Sequence, residues 1–285
     1  MAYNSGTDPT LAELITGKFI PEKFSRDVIM HTKSKLVVAA NVNTKYRDDL
    51  RMGYKVSIPV MVEGTDAEVT PGTVPTPSDL LGTAASITID QWRVAAAEIS
   101  DMASIEDPVD YLNAAAESCS YRISRRVDTK LGSLFSALQA SSAYGVDGQT
   151  FTDKIFMALM ETLDEADVPE DNRALIGDPA MKADMLDIHK FISTDFVRTP
   201  VVPTGRFGEL YGVPFLSTNN LTAATTGNYG ALLHRDAISL VIQRSPRSQI
   251  IPIKQEFRTL LVVDVIYGVS EIRDTFGQSF YTRKS

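Results

Sequence analysis

Apolar residues recur every three or four positions between Asp107 and Ser142, which is the spacing of one face of an α-helix. Asp107 and Pro108 suit the N-cap and the first helical position, and the first glycine after them is Gly132. About 35 residues at about 1.5 Å each would form a rod of about 50 Å, with a weak point or bend at Gly132. We therefore predict a long spine helix. Its apolar face comprises Val109, Leu112, Ala116, Cys119, Ile123, Val127, Leu131, Leu134, Phe135 and Leu138, and its polar face comprises Glu117, Arg122, Arg125, Asp128 and Lys130.

Two segments before the spine helix alternate apolar and polar side chains and predict β-strands, at 54–62 and 84–92. The connection between them contains three prolines and three glycines and is too long for a tight hairpin turn. We therefore predict a two-stranded ribbon whose loop projects toward another molecule. Residues 32–43 could form a strand before the ribbon, and residues 93–106 could form a helical connection to the spine helix.

The chain after the spine helix mixes the two periodicities, which indicates a mixed α+β class. Asp178 and Pro179 are typical of a helix start, and Arg235 and Asp236 are typical of a turn between two strands. The predicted elements are an amphipathic helix at 151–166, a strand at 173–176, a helix at 180–188, a strand at 213–217, a strand pair within 231–244 and a β-rich segment at 249–285.

Charge is distributed unevenly between the first two parts of the chain. Residues 1–55 contain nine basic and six acidic side chains, whereas residues 56–107 contain one basic and nine acidic side chains. A basic arm and an acidic loop are therefore complementary, although both could equally be solvated faces. Such pairs set register and the choice of partner more than they supply affinity.

Composition and motifs argue against an enzyme. The net charge of −8 makes the chain a poor candidate for broad nucleic-acid binding, and its only cysteine, Cys119, is expected to be a buried thiol in a reducing cytoplasm. No phosphate-binding loop, GxSxG motif, secretory signal or membrane-spanning run occurs in the sequence. The three histidines are far apart in sequence, so we predict no catalytic residue, no metal site and no cofactor. The single tryptophan, Trp92, is expected in the core or at an interface.

The order of these parts resembles the major capsid proteins of tailed bacteriophages, which have the HK97-type fold. Three places carry the resemblance: WRVAAAEISDMASIEDPVDYL at 92–112, the pair PEDNRALIGDPAMKADML and GELYGVPFLSTNNL at 169–186 and 208–221, and ALLHRDAISLVIQ at 231–243. The resemblance implies an α+β HK97-like fold with an extended N-arm, an E-loop β-hairpin, a peripheral (P) domain and an axial (A) domain. The implied boundaries are 1–50 for the N-arm, 51–92 for the E-loop, 93–146 for the spine helix of the P-domain, 147–245 for the A-domain and 246–285 for strands that return to the P-domain.

The function implied by this resemblance is structural. Copies would assemble into hexamers and pentamers of an icosahedral head shell that encloses double-stranded DNA without reading its sequence. Assembly would take place in the cytoplasm of the bacterial host, with no membrane involved. A separate scaffolding protein and a portal are expected partners, and a decoration protein is a further one. The Lys–Asn cross-link of some family members cannot be placed on matching residues here.

The complementary charges suggest particular contacts between subunits. We expect the acidic loop of one copy to meet the basic arm of another. The residues concerned are Glu63, Asp66 and Glu68 on the loop and Lys18, Lys23 and Arg26 on the arm. Two alternatives stay open at this point. An encapsulin-like compartment would share the fold but hold a protein cargo, and a cytoplasmic α/β enzyme would stay small and bind a ligand in a pocket.

Overall fold

A computed structural model of the chain describes residues 37–46, 53–61, 84–100, 111–139, 143–188 and 209–284, together with positions 64, 66, 68, 72, 74 and 82. Ten strands and three α-helices are distributed over these ranges. The strands are β1 (Lys55–Ile58), β2 (Ala85–Thr88), β3 (Gln91–Ser100), β4 (Arg173–Gly177), β5 (Glu209–Leu210), β6 (Val213–Ser217), β7 (Gly227–His234), β8 (Ile238–Ile253), β9 (Arg258–Glu271) and β10 (Gly277–Arg283). The helices are α1 (Tyr111–Gly132), α2 (Asp153–Glu165) and α3 (Pro179–Asp187), with short 3₁₀ helices at Val38–Asn41, Phe135–Ala137 and Asp274–Phe276.

The spine layer consists of α1 packed on an antiparallel sheet with the strand order β3-β9-β8. The predicted apolar face of the spine helix is confirmed at Cys119, Ile123, Val127 and Leu131, which are all buried, while Ala116 and Leu134 are half-buried. The α-helix has 22 residues, which corresponds to about 33 Å at 1.5 Å per residue. The predicted start at Asp107 lies outside the described residues.

Two expectations for the spine helix are wrong. The α-helix ends at Gly132, where we expected only a bend, and the chain continues through a turn into the 3₁₀ helix Phe135–Ala137. A side chain at Gly132 would place its Cβ 3.2 Å from the carbonyl oxygen of Asn220, so the glycine admits a crossing loop. Asp128, assigned to the polar face, is completely buried.

The structure also corrects two predictions for segments that precede the spine helix. The segment expected to be a helical connection is β3, which pairs with β9 along its whole length. Its Ala-rich sequence is compatible with a helix. Pairing with β9 at ten positions and alternating burial show that it is a strand. Within residues 32–43, expected to be a strand, residues 38–41 form a 3₁₀ helix.

The lobe consists of α2, α3 and a five-stranded sheet with the order β10-β7-β4-β6-β5. The strands β4 and β6 are parallel and are joined through α3, while the other pairs are antiparallel. One face of this sheet packs on α2 and α3 through Leu175, Leu232 and Phe280. The other face, with Ile176 and Leu233, joins the core beneath the end of α1. The lobe and the spine layer therefore share a buried boundary.

The predictions after the spine are confirmed. The amphipathic helix is α2, the RALI segment is β4, and the side chain of Asp178 caps α3 by accepting a hydrogen bond from the Ala180 amide at 3.3 Å. The turn at Arg235 and Asp236 joins β7 to β8. The implied division into domains stays a prediction. Its boundary at residue 245 falls within β8, and β10 belongs to the five-stranded sheet rather than to the sheet of the spine layer.

The ribbon that precedes β3 is confirmed as the antiparallel pair of β1 and β2. Its base packs in a small third core, in which Ile87 and Val241 are completely buried. The ribbon backbone crosses β9 at Gly268, where a Cβ would lie 2.3 Å from the carbonyl oxygen of Thr88. Only glycine allows this crossing, which fixes where the ribbon leaves the spine layer.

Candidate assembly surfaces

The sheet of the spine layer is covered by α1 on one face only. Along β3 every even-numbered residue from Trp92 to Ser100 is exposed, whereas the residues between them are half-buried or buried. Register places Trp92 beside Ile266, and Ala96 beside Val262, on the open side. We call this side the outer sheet face. Its apolar members are Trp92, Val94, Ala96, Ile251, Leu260, Val262 and Ile266.

Large apolar side chains on the outer sheet face are in contact with solvent in the single subunit. Trp92 is 68% exposed, Val94 is 55% exposed and Ile251 is 43% exposed. The expectation that Trp92 lies in the core is therefore wrong, and the alternative of an interface stays a prediction. An exposed tryptophan beside other apolar residues marks a surface that another molecule covers.

A charged cluster lies in the middle of the outer sheet face. The Asp264 carboxylate is buried and accepts a hydrogen bond from the Arg247 side chain at 2.7 Å, with Arg244 at 3.4 Å. The hydrogen bond from Arg247 is the main reason that the pKa of Asp264 lies below its ordinary value, against the opposing effect of burial, and the Trp92 side chain adds a further hydrogen bond. The side chains of Arg244 and Arg247 are 44% and 46% exposed, so only these two side chains separate the carboxylate from solvent.

A second buried carboxylate, Asp128, holds the root of the N-terminal segment. It accepts hydrogen bonds from the backbone amides of Ala39 at 3.0 Å and Val37 at 3.4 Å. Ala39 lies in the first turn of the 3₁₀ helix and Val37 is the residue before it, so the carboxylate, supplied by α1, caps the start of this helix. The Asn220 side chain donates a third hydrogen bond at 3.2 Å. One side chain thus joins the arm root, the spine helix and a loop of the lobe.

The residues after this 3₁₀ helix are fixed to β8. The Asn43 amide donates to the carbonyl of Ile238 at 3.0 Å, and the Leu240 amide donates to the carbonyl of Asn43 at 2.9 Å. The Asn43 side chain donates to Asp236 at 2.7 Å. Val42, next to it, is buried in the core under α1. The point from which the preceding chain departs is therefore fixed on the subunit.

The predicted contact residues fall mostly beyond what the structure describes. Glu63, Lys18, Lys23 and Arg26 lie outside the described residues. Asp66 and Glu68 are exposed, as residues that reach a neighbour must be. The contacts between loop and arm stay a prediction.

Sequence reasoning missed both buried carboxylates. Asp128 follows Val127, whose spacing with Ile123 and Leu131 defines the apolar face, so its position at the edge of that face was a usable signal. Asp264 lies in the alternating run TLLVVDVIYGV, where a charged residue among apolar ones indicates a paired carboxylate. Its partners on β8 and β3 could not be identified without the strand register.

Among the described residues, no group of three or more His, Cys, Asp or Glu side chains is placed to hold a metal ion. No helix within the described ranges combines the length and apolar character needed to cross a membrane.

Comparisons with known proteins identify the fold. The described architecture is similar to a structure from Mycobacterium phage Che8, with a TM-score of 0.80 and 20% identity over 94% of this chain and 98% of that chain. The capsid structure of the cyanophage P-SCSP1u gives a TM-score of 0.75 and 15% identity over 100% and 97% of the two chains. The mature capsid of bacteriophage PhiM1 gives a TM-score of 0.71 and 17% identity over 92% of this chain and 91% of that chain. These similarities show the HK97-type fold of phage capsid proteins and confirm the predicted fold class.

Sequence comparison gives the family independently of the fold. No curated protein matches the chain. A sequence model described as phage capsid protein matches residues 82–256, which is more than half of the chain and includes β3, α1 and most of the lobe. The family and the fold indicate a structural role in the capsid of the virion. The chain belongs to the phage capsid protein family and is a structural major capsid protein of a tailed bacteriophage.

Proposed function

We propose that copies of this chain form the hexamers and pentamers of a head shell that encloses double-stranded DNA, and that the outer sheet face is a contact between neighbouring copies. The observation that carries the proposal is the 68% exposure of Trp92 within an open apolar sheet face. Aromatic residues of this kind supply much of the binding energy at protein interfaces. Burial of such a side chain against a neighbour is worth about 1.5–3 kcal/mol.

The neighbour's acidic loop is the occupant we propose for this face. Trp92 lies only a few residues after the ribbon strand β2, so the ribbon and the outer sheet face belong to one continuous edge of the subunit. The half-exposed Arg244 and Arg247 provide positive charge on the face, and the loop provides negative charge at Asp66 and Glu68. Opposite charge favours this orientation over others.

The basic arm is the second proposed contact of the loop. Lys18, Lys23 and Arg26 of one copy pair with Glu63, Asp66 and Glu68 of another, each exposed pair contributing about 0.2–1 kcal/mol. Assembly takes place in the host cytoplasm with a separate scaffolding protein and a portal, and a decoration protein completes the shell. These partners are proposed by analogy with other phage heads, and no contact within this subunit bears on them.

Electron microscopy of a Trp92→Ala variant tests the proposed contact. Wild-type protein, expressed alone and with its genomic neighbours, should form shells, polyheads or capsomer rings. The Trp92→Ala variant should remain unassembled at the same concentration while unfolding at a temperature close to that of the wild type. The matched control is Met157→Ala, which removes a 51% exposed apolar side chain from α2 in the lobe. Normal shells from the Trp92→Ala variant would show that the outer sheet face is not a contact between copies. If the wild type formed only small species under all conditions, the proposal of a shell would be wrong.

A charge swap tests the contact between loop and arm. Replacing Asp66 and Glu68 by lysine should weaken assembly, because like charges then face each other. Replacing Lys18 and Lys23 by glutamate in the same chain should restore it.

Nuclease-resistant DNA in the purified shells would support a DNA-filled head. Shells that contain only protein would contradict it.

A further inference from the structure

One side of α1 is basic although the chain as a whole is acidic. Three arginines are exposed along it, and a lysine is half-buried near its end. The helix contains two acidic residues, of which Asp128 is buried and only Glu117 is exposed. Four cations therefore accompany one exposed carboxylate, in a chain with a net charge of −8. We call this surface the basic stripe; it consists of Arg122, Arg125, Arg126 and Lys130.

Two members of the basic stripe, Arg122 and Arg125, point away from the sheet. Cys119, Ile123 and Val127 are buried between α1 and the sheet, and Arg122 and Arg125 lie on other sides of the helix at 100° per residue. The spine layer therefore has two unlike surfaces. The outer sheet face is largely apolar and its two arginines are paired with the buried Asp264, whereas the arginines of α1 have no carboxylate partner among the described residues.

Within the described residues, the cations of the basic stripe have no carboxylate partner. The only hydrogen bond that the structure gives them goes from Arg125 to the side-chain oxygen of Asn220 at 3.3 Å. The nearby hydroxyls of Ser124 and Thr129 donate back to carbonyls of α1 itself, at 3.0 and 2.9 Å. The guanidinium groups of Arg122 and Arg126 are thus available to an external anion.

We propose that the basic stripe is the surface that contacts the phosphate backbone of the enclosed double-stranded DNA; this rests on the proposed function of a DNA-filled shell. The distance along the helix from Arg122 to Lys130 is about 12 Å. A duplex carries one negative charge per about 1.7 Å of its axis, or about 7 charges over this length. The half-buried residues between the cations, Ser124 and Thr129, are small and polar, and this stretch contains no aromatic ring to stack on a base. The contact is therefore independent of sequence.

A photo-crosslinking residue placed next to the stripe tests this assignment in intact particles. Ser118 is exposed one helical turn before Arg122, and Ala96 is exposed on the outer sheet face. With p-benzoylphenylalanine at Ser118, irradiation of DNA-filled particles should join the subunit to DNA. The same residue at Ala96 should not. A crosslink from Ser118 to a second protein, no DNA adduct in filled particles, or equal adducts at both positions would overturn the inference while leaving the shell in place. Particles without DNA would instead overturn the proposed function, on which the inference rests.

A charge variant provides a second measurement that does not depend on crosslinking. Unassembled wild-type subunits are titrated with a fluorescent duplex of 30 base pairs at several salt concentrations. Arg122→Gln with Arg126→Gln should reduce the slope of log affinity against log salt by about 1.8, at about 0.9 per cation. The matched control, Lys154→Gln with Lys182→Gln on the lobe helices, makes the same change in net charge and should leave the slope unaltered. Equal slopes for the two variants would contradict the proposal.

Discussion

The two larger sheets of this subunit differ in how completely a single copy covers them. In the lobe, α2 and α3 cover one face and the core under α1 covers the other, so all five residues of β4 are buried. In the spine layer, α1 covers one face and nothing in the described part of the chain covers the outer one. The same contrast separates β4 from β3, which alternates between exposed and more buried positions along its whole length.

This difference assigns different tasks to the two regions. A sheet covered on both faces is complete in one subunit, so its residues stabilise the fold. A sheet with an open apolar face reaches its full burial only in an assembly. The two buried aspartates repeat the contrast. Asp128 is satisfied by donors inside the subunit, whereas Asp264 is satisfied by arginines that are half-exposed on the open face.

The largest loss of subunit stability is expected in the lobe. Phe156 of α2 is completely buried and stacks on Tyr211 with ring centroids 5.8 Å apart. Phe156→Ala should lower the free energy of unfolding by about 3–5 kcal/mol, because it removes buried apolar surface and leaves a cavity. Urea unfolding of unassembled subunits, followed by circular dichroism, measures the change. Met157→Ala on the same helix, where the side chain is exposed, should change the value by less than about 0.5 kcal/mol. Equal effects of the two variants would contradict the assignment of this core.

The next largest effect is expected at Asp128. Asp128→Ala leaves the Val37 and Ala39 amides and the Asn220 side chain without their acceptor, at a total cost of about 3 kcal/mol. Limited proteolysis should also cut the arm root faster, since its 3₁₀ helix loses the cap. Glu165→Ala removes an exposed carboxylate from the end of α2 and serves as the control. An Asp128→Ala variant as stable as this control would show that the arm root is held by its apolar residues alone.

A smaller effect is expected at Asp264, whose arginine partners are half-exposed. In Asp264→Asn the half-exposed Arg244 and Arg247 can turn to water, so the loss of stability should be about 1 kcal/mol. Because the cluster belongs to the outer sheet face, assembly observed by light scattering should suffer more than unfolding. A loss of stability as large as that of Asp128→Ala would place Asp264 with the closed core instead.

The smallest effect concerns pH at the junction of the two regions. Burial, followed by the hydrogen bond and the charge repulsion with Asp274, raises the pKa of Glu271 from 4.5 to about 7. The folded subunit therefore keeps a proton that the unfolded chain releases, so this contribution to stability is complete below about pH 4.5 and is lost as pH rises through about 7.

Comparison of melting temperatures between wild type and Glu271→Gln isolates this contribution. The melting temperature of the glutamine variant, relative to that of the wild type, should rise by about 2 °C between pH 5 and pH 8. The change is small because Glu271 is only half-buried. The difference between the two proteins removes the effect of other titrating groups such as His234, whose pKa is lowered by burial. A constant difference across this range would contradict the assignment.

The elements predicted correctly are those whose signals lie close together in sequence. The apolar periodicity of α2 is visible within its own residues, and Asp178 and Pro179 mark the start of α3 in the sequence. The turn at Arg235 and Asp236 is equally local. Cys119 and its neighbours on α1 were placed correctly because one helix face is defined by spacing alone.

The failures share a different cause, which is contact between distant parts of the chain. The run around Ala95 has good helix formers, yet pairing with residues near Val263 makes it a strand. Asp128 was assigned to the surface because its three donors come from residues near 37 and 220. The candidate interface on the outer sheet face could not be recognised either, because it combines three strands whose register is set only by the fold.

The anchoring of the arm root has a mechanical consequence. Any force that pulls on the chain before Val37 reaches α1 at Asp128 through the amides of residues 37 and 39. These two hydrogen bonds share one carboxylate and bear the load in parallel, so both must break before the root detaches. Because the same carboxylate is bonded to Asn220, tension applied by a neighbouring copy is transmitted to the lobe as well as to the helix. The subunit thus contains a short hydrogen-bonded path that carries tension from its arm root to its most completely buried sheet.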